Sequence, residues 1–148
     1  MEQLFASTKN TVESVIGKLG IDPAKARVKD TPDQVTWTLM RGSASVLVTV
    51  IHRVEQKNVF LRVASPVLAL PEGNREALYK RLLELNVGGL ANAAFGLLGE
   101  KIVAVSERPA AGLDASEVDQ MIRHLSAVAD TYDDRLVKEF GGKRASDA

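Results

Sequence analysis

Apolar residues recur at the helical period in three segments of the chain, and at the strand period or in short runs between them. An apolar residue every three or four positions forms one face of a helix, whereas strict alternation forms one face of a strand. These patterns predict helices over residues 2–19, 74–87 and 114–140. They also predict five strands, three before the second helix and two after it. The order α-βββ-α-ββ-α indicates an α+β fold with a mostly antiparallel five-stranded sheet and three helices.

The strand assignments depend on a few residues. Val35, Trp37 and Leu39 alternate with polar neighbours, which is typical of a half-buried strand and places Trp37 in the core rather than in a ligand-stacking site. The continuous apolar run at 46–48 predicts a central strand. Proline cannot donate to a strand ladder, so the third strand must end, bulge or lie at an edge near Pro66.

Polar segments predict the connections and the ends of the domain. We expect residues 22–33 to be a polar connector, and Asp114 with Glu117 to form a capping box at the start of the last helix. Gly141 ends that helix. We therefore expect a single domain over residues 1–141 and a flexible tail over 142–148.

The second helix has a wider apolar stripe than one core contact needs. The stripe spans roughly 160° of the helical wheel and consists of Leu78, Tyr79, Leu82, Leu83 and Leu85. One interpretation assigns the first, third and fifth of these to the core, and Tyr79 and Leu83 to a second subunit or partner. The other places the whole helix between the sheet and another helix. Asn86 falls inside the stripe, where an unpartnered amide would cost about 1–3 kcal/mol.

The segment 90–98 contains alanines that favour helix and glycines that favour a turn or strand. We predict a hairpin, with its turn at residues 98–101. Its small residues would allow close backbone approach across an interface. The predicted dimer or partner interface is therefore formed by Tyr79, Leu83, Asn86, Phe95 and Leu97.

Composition excludes several function classes. The 148 residues include no cysteine, which removes thiol catalysis, iron–sulfur clusters and thiolate zinc sites. Lys and Arg number 19 and Asp and Glu number 19, so the chain lacks the basic excess of nucleic-acid-binding proteins. We expect no membrane span, because no apolar run approaches the required length. The first residues do not read as a signal peptide, so we expect a cytoplasmic protein.

No catalytic constellation stands out. His52 and His124 each lack a second histidine or a suitably spaced carboxylate, so surface or capping roles are favoured over metal binding. Asp130, Asp133 and Asp134 are best explained as a solvated helix face. We expect no catalytic residues, no metal site and no cofactor.

Several short segments, taken in this order, resemble the YbjN-domain family, whose fold is similar to type III secretion chaperones of the Tir-chaperone type. The resemblance covers about residues 2–141 and is carried by Trp37 before a turn, Val63-Ala64-Ser65-Pro66-Val67, Leu82-Leu83-Glu84-Leu85-Asn86 and Ala129-Asp130-Thr131-Tyr132-Asp133. It implies the same α-βββ-α-ββ-α order, a homodimer built through the second helix and the following hairpin, no enzymatic activity, and binding of another protein.

Three functional hypotheses follow. The first is a non-enzymatic, homodimeric protein-binding domain, acting as a chaperone or regulatory adaptor for an unknown protein client. The alternative is a small-ligand-binding sensory domain with an apolar pocket between the sheet and the long helix. A catalytic role for Asp133 is the weakest alternative.

Overall fold

The computed structural model describes residues 1–147. The helices are α1 Glu2–Lys18, α2 Pro23–Ala26, α3 Arg75–Gly88 and α4 Ala115–Phe140. The strands are β1 Arg27–Thr31, β2 Gln34–Arg41, β3 Ala44–Arg53, β4 Asn58–Ala69, β5 Ala94–Leu98, β6 Lys101–Pro109 and β7 Lys143–Arg144. Short 3₁₀ turns follow β3 and β7. The α+β class and the antiparallel sheet predicted from the sequence are confirmed.

The sheet has the strand order β1-β2-β3-β4-β6-β5, and every pair is antiparallel. The long helices α1 and α4 pack together on one face, and α3 packs beside them against β5 and α4. The predicted central position of β3 and the hairpin formed by β5 and β6 are both confirmed. In the β5–β6 loop Gly99 has φ +59°, as a two-residue hairpin loop with glycine in its first position requires.

The core lies between the helices and the inner face of the sheet. The predicted alternation in β2 is confirmed, because Val35 and Trp37 are fully buried and Leu39 is nearly so. The helices contribute two groups of buried residues to the core: Val12, Val15 and Ile16 of α1, and Val118, Met121, Ile122, Leu125, Val128, Ala129 and Leu136 of α4. The predicted Asp114–Glu117 capping box begins α4. Most of the apolar side of α4 is packed against the sheet.

The prediction of five strands was wrong, since the part of the chain that the structure describes forms a sheet of seven. Residues 22–33 are not an irregular connector: Asp22 caps the four-residue helix α2, which adds a fourth helix, and β1 follows it. Four of the five β1 residues are exposed. An edge strand of this kind is held by backbone pairing to β2, so its side chains show no apolar alternation.

The seventh strand forms where we expected a flexible tail. β4 continues past Pro66 through a bulge, one of the three predicted outcomes for this proline. Beyond the bulge, β3 no longer pairs with β4, and Lys143 and Arg144 pair there with Ala69 and Leu68. Gly142, with φ +87°, lets the chain turn back closely against Ala69. The C-terminal segment therefore completes the sheet beside β4.

Candidate protein-binding surface

Helix α3 buries only one side. Leu78 is fully buried and Leu82 nearly so, whereas Leu83 is 66% exposed. Val87, one helical turn after Leu83, is 92% exposed. The arrangement agrees with the interpretation that assigns Leu83 to a surface, and not with a helix enclosed on both sides.

The hairpin beside α3 also exposes apolar side chains. Phe95 is buried and its ring meets the edge of Tyr132 on α4, with the ring centroids 5.4 Å apart. Leu97 and Leu98 on the same strand are 55% and 70% exposed. Since β5 pairs only with β6 within residues 1–147, its other edge is the end of the described sheet. The outer side of α3 and the α3-facing side of β5 thus form one largely apolar surface, which we call the α3–β5 surface and define by Tyr79, Leu83, Asn86, Val87, Phe95 and Leu97. Leu98 follows Leu97 in the strand and therefore points to the opposite face of β5.

Asn86 connects the two elements of this surface. Its side-chain nitrogen donates to the Phe95 carbonyl oxygen at 3.1 Å, and its side-chain oxygen accepts from the Phe95 backbone N–H at 2.7 Å. The amide therefore has the partners that a polar group within an apolar stripe requires. It also occupies the backbone groups of Phe95 on the outer edge of β5. Asn86 fixes the position of that strand relative to α3.

A groove of about 230 Å³ runs between the helix and the strand. Apart from Tyr79 and Asn86, the lining residues are apolar or glycine: Leu82, Leu83, Phe95, Gly96, Leu97 and Ile102. All five residues predicted from the sequence as an interface lie in this groove. The rim of α3 carries Glu76, Lys80 and Glu84 around Leu83, so charges of both signs border the apolar area.

One member of the α3–β5 surface, Val87, was missed at the sequence level. Val87 lies four residues after Leu83 and therefore on the same helical face, a signal the wheel already contained. Leu98, which precedes the hairpin turn, is exposed on the opposite face of β5.

The histidines have structural roles. His124 Nε2 lies 3.0 Å from the carbonyl oxygen of Leu90 and 2.6 Å from that of Ala91, and so donates to them. Ala91 and Asn92 have positive φ angles of 40° and 52°, so this contact supports a strained loop between α3 and β5. His52 Nδ1 lies 3.4 Å from an Asp33 carboxylate oxygen. Residues 1–147 contain no cluster of His, Asp or Glu suited to a metal ion.

The acidic group on α4 is only partly a solvated face. Asp130 and Asp134 are exposed, as expected, but Asp133 is only 7% exposed. Burial raises the pKa of the Asp133 carboxyl group above its ordinary value. A signal for burial was present, because Asp133 lies four residues after Ala129 and three before Leu136, which both belong to the apolar stripe.

The chain is similar to proteins of one family over nearly its whole length. Residues 7–148 match the family model TY-Chap1, described as type III secretion system (YopN, CesT) and YbjN peptide-binding chaperone 1. Comparison with curated proteins gives no match. No helix within residues 1–147 is both long and apolar enough to cross a membrane.

Three solved structures share the fold. A chain of the ExsC–ExsE complex aligns with a TM-score of 0.64 at 17% identity, covering 90% of this chain and 96% of that one. A chain of the heterodimeric ExoU–SpcU complex from the type III secretion system of Pseudomonas aeruginosa aligns with a TM-score of 0.58 at 12% sequence identity. This alignment covers 82% of this chain and 94% of that one.

A chain of the HopA1–SchA chaperone–effector complex aligns with a TM-score of 0.56 at 15% identity, covering 88% of this chain and 94% of that one. At these identities the three structures establish the fold. The family match, in contrast, extends over more than nine-tenths of the sequence. The chain therefore belongs to the TY-Chap1 family of type III secretion and YbjN peptide-binding chaperones.

Proposed function

We propose that this chain is a non-enzymatic, cytoplasmic chaperone that binds a peptide segment of a client protein and acts as a homodimer through the α3–β5 surface. The observation that carries the dimer is the concentration of exposed apolar side chains there. Leu83, Val87 and Leu97 are each more than half exposed, on two adjacent elements. The family match supports peptide binding.

A second copy of the chain fits the α3–β5 surface for two reasons. A two-fold axis places the same residues opposite each other, so an apolar patch meets an apolar patch. The rim also carries both signs of charge, and Lys80 of one copy can pair with Glu76 or Glu84 of the other. Fully burying a leucine is worth about 1.5–3 kcal/mol. A stable pair would bury about 1,200–2,000 Å² in total.

The helix-free face of the sheet is the surface we assign to the client. Neighbouring strands place Leu47 opposite Ala64 and Ala64 opposite Val105 on this face. Ile51 lies opposite Phe60 on the same face, beyond the polar row of Thr49, Arg62 and Glu107. These apolar side chains are half-buried within the sheet. Since α1, α3 and α4 occupy the other face, the helix-free face stays accessible when two copies associate through α3 and β5. An extended client segment could lie across it.

The dimer is tested by sedimentation velocity at micromolar concentration. We expect the wild-type protein to sediment as a dimer and Leu83→Glu to sediment as a monomer, because the charge would have to be desolvated in the contact. Val28→Glu is a matched control: Val28 is 62% exposed, similar to Leu83, but lies on β1 at the opposite edge of the sheet. A monomeric wild-type protein, or equal effects of both substitutions, would contradict the proposed dimer.

A further inference from the structure

A second cavity lies away from the α3–β5 surface, beside the C-terminal segment. It measures about 260 Å³. It is bounded by the start of β3, the bulge of β4, the second half of α4 and the 3₁₀ turn after β7. The residues that line it include Ala44, Pro66, Val67, Ala129, Asp133 and Ser146. Pockets for drug-sized molecules start at roughly 300 Å³. This cavity is therefore of a size for one side chain.

The cavity contains a buried carboxylate that lacks a cationic partner. Asp133 is more than nine-tenths buried, and within residues 1–147 its side chain makes one hydrogen bond, accepted by Oδ1 from the adjacent Asp134 N–H at 2.6 Å. No Lys, Arg or His nitrogen of the described chain lies within ion-pair distance of it. Arg144 is engaged by Asp134 at 3.6 Å and by Asp147 at 2.8 Å.

The surroundings of Asp133 favour a cationic guest. A buried charge without a partner is costly, and a cation that fills the site removes that cost. Asp130 and Asp134 add negative charge near Asp133, and both raise its pKa further, while Arg144 lowers it. Lys101 also lines the cavity, but its side chain forms no ion pair with Asp133 in the described residues.

The walls suit a particular kind of cation. The side chains of Pro66, Val67 and Ala129 offer apolar contact for a methylene stem, while Asp133 can accept hydrogen bonds from a charged end. Long basic side chains have this combination of an apolar stem and a polar tip. The clusters of three or more carboxylates or histidines that a metal ion would need do not occur within residues 1–147.

We propose that this cavity is a socket for a single lysine or arginine side chain of the bound client, with the Asp133 carboxylate as its acceptor. The proposal rests on the proposed function, since it takes the client to be a peptide. A basic residue at one position of the client segment would then determine how that segment is aligned along the protein. The socket lies where β4 leaves β3, next to the helix-free face that we assign to the client.

The test uses small probes and needs no knowledge of the client. N-acetyl-arginine amide is titrated into the ¹⁵N-labelled full-length protein, and amide shifts are followed by NMR; N-acetyl-citrulline amide is the uncharged probe of the same shape. We expect saturable shifts around Ala44, Val67 and Asp133 with the arginine probe only. Asp133→Asn should weaken binding at least tenfold, whereas Asp130→Asn, which removes an exposed carboxylate nearby on the same helix, should weaken it much less.

A second measurement uses the wild-type protein alone, in case Asp133→Asn does not fold. The carboxyl ¹³C shift of Asp133 is titrated with pH, with and without the arginine probe, and binding should lower the apparent pKa because the two equilibria are linked. Equal binding of both probes, equal affinity for Asp133→Asn, or an unmoved titration would overturn the socket. None of these outcomes bears on dimerisation through α3 and β5, which sedimentation measures separately.

Discussion

Replacing Asn86 with alanine would remove the only side-chain hydrogen bonds recorded between α3 and β5 within residues 1–147. Both backbone groups of Phe95 on the outer edge of β5 are held by this amide, at 2.7 and 3.1 Å. In Asn86→Ala these groups would be left to water at a partly buried position. We expect β5 to lose its fixed position relative to α3, and the groove between them to widen.

The expected cost follows from two neutral hydrogen bonds. Each contributes about 0.5–1.5 kcal/mol net, so the pair is worth about 1–3 kcal/mol. Alanine gains up to about 0.7 kcal/mol over asparagine in a helix interior, which offsets part of the loss. Asn10→Ala is the matched control: Asn10 is exposed within α1, has no side-chain hydrogen bond in the described residues, and would gain the same helix propensity.

Urea unfolding of both variants measures the difference in the free energy of unfolding. We expect Asn86→Ala to be less stable than Asn10→Ala by about 1–3 kcal/mol. Hydrogen exchange should also show faster exchange of the Phe95 amide in Asn86→Ala, with the core of β4 unchanged. Equal stability of the two variants, with unchanged protection of Phe95, would refute the role given to Asn86.

Three further predictions concern the core, a buried charge and the C-terminal strand. Trp37→Ala should lower the free energy of unfolding in urea by about 3–5 kcal/mol, because a fully buried ring is lost; a loss below 1 kcal/mol would contradict its core position. Since burial raises the folded-state pKa of Asp133, wild-type stability should fall as pH rises from the ordinary carboxyl pKa through the raised one. Asp133→Asn should therefore be more stable than the wild-type protein at neutral pH and should lose that advantage in acid. A difference in unfolding free energy that does not change with pH would contradict this. Gly142→Ala would place a Cβ 2.9 Å from the Ala69 carbonyl oxygen, whereas at Gly141, which also has positive φ, a Cβ meets nothing within 4 Å. Urea unfolding should therefore show a larger loss of unfolding free energy for Gly142→Ala than for Gly141→Ala. Equal losses would argue against close packing of β7.

The parts of the fold that could be predicted are those in which side-chain burial follows the backbone period. Val35, Trp37 and Leu39 alternate because one face of β2 is in the core, and the stripe of α4 is apolar because α4 crosses the sheet. The capping box at Asp114 was visible because it is a local arrangement of two side chains. Such signals lie within a few residues and need no knowledge of distant partners.

The parts that could not be predicted depend on distant backbone contacts. β1 and β7 are stabilised by pairing with β2 and β4, and their side chains are mostly exposed, so the sequence carried no period to indicate them. Asp133 differs, because its spacing from Ala129 and Leu136 did indicate burial, whereas the C-terminal turn that lines the same cavity was not predicted. The five interface residues could be grouped because α3 and β5 adjoin in sequence. The sequence did not show that Asn86 bonds to the backbone of Phe95.

The most direct test of the account is whether the purified protein binds an extended peptide. A random-peptide display library is selected on immobilised wild-type protein, and an enriched peptide is titrated into the protein by calorimetry. Hydrogen exchange then locates the peptide on the protein. We predict saturable binding to the dimer with protection on the helix-free face of the sheet, around Leu47, Phe60 and Val105. Failure to enrich any peptide, or binding that does not saturate, would contradict a peptide-binding chaperone.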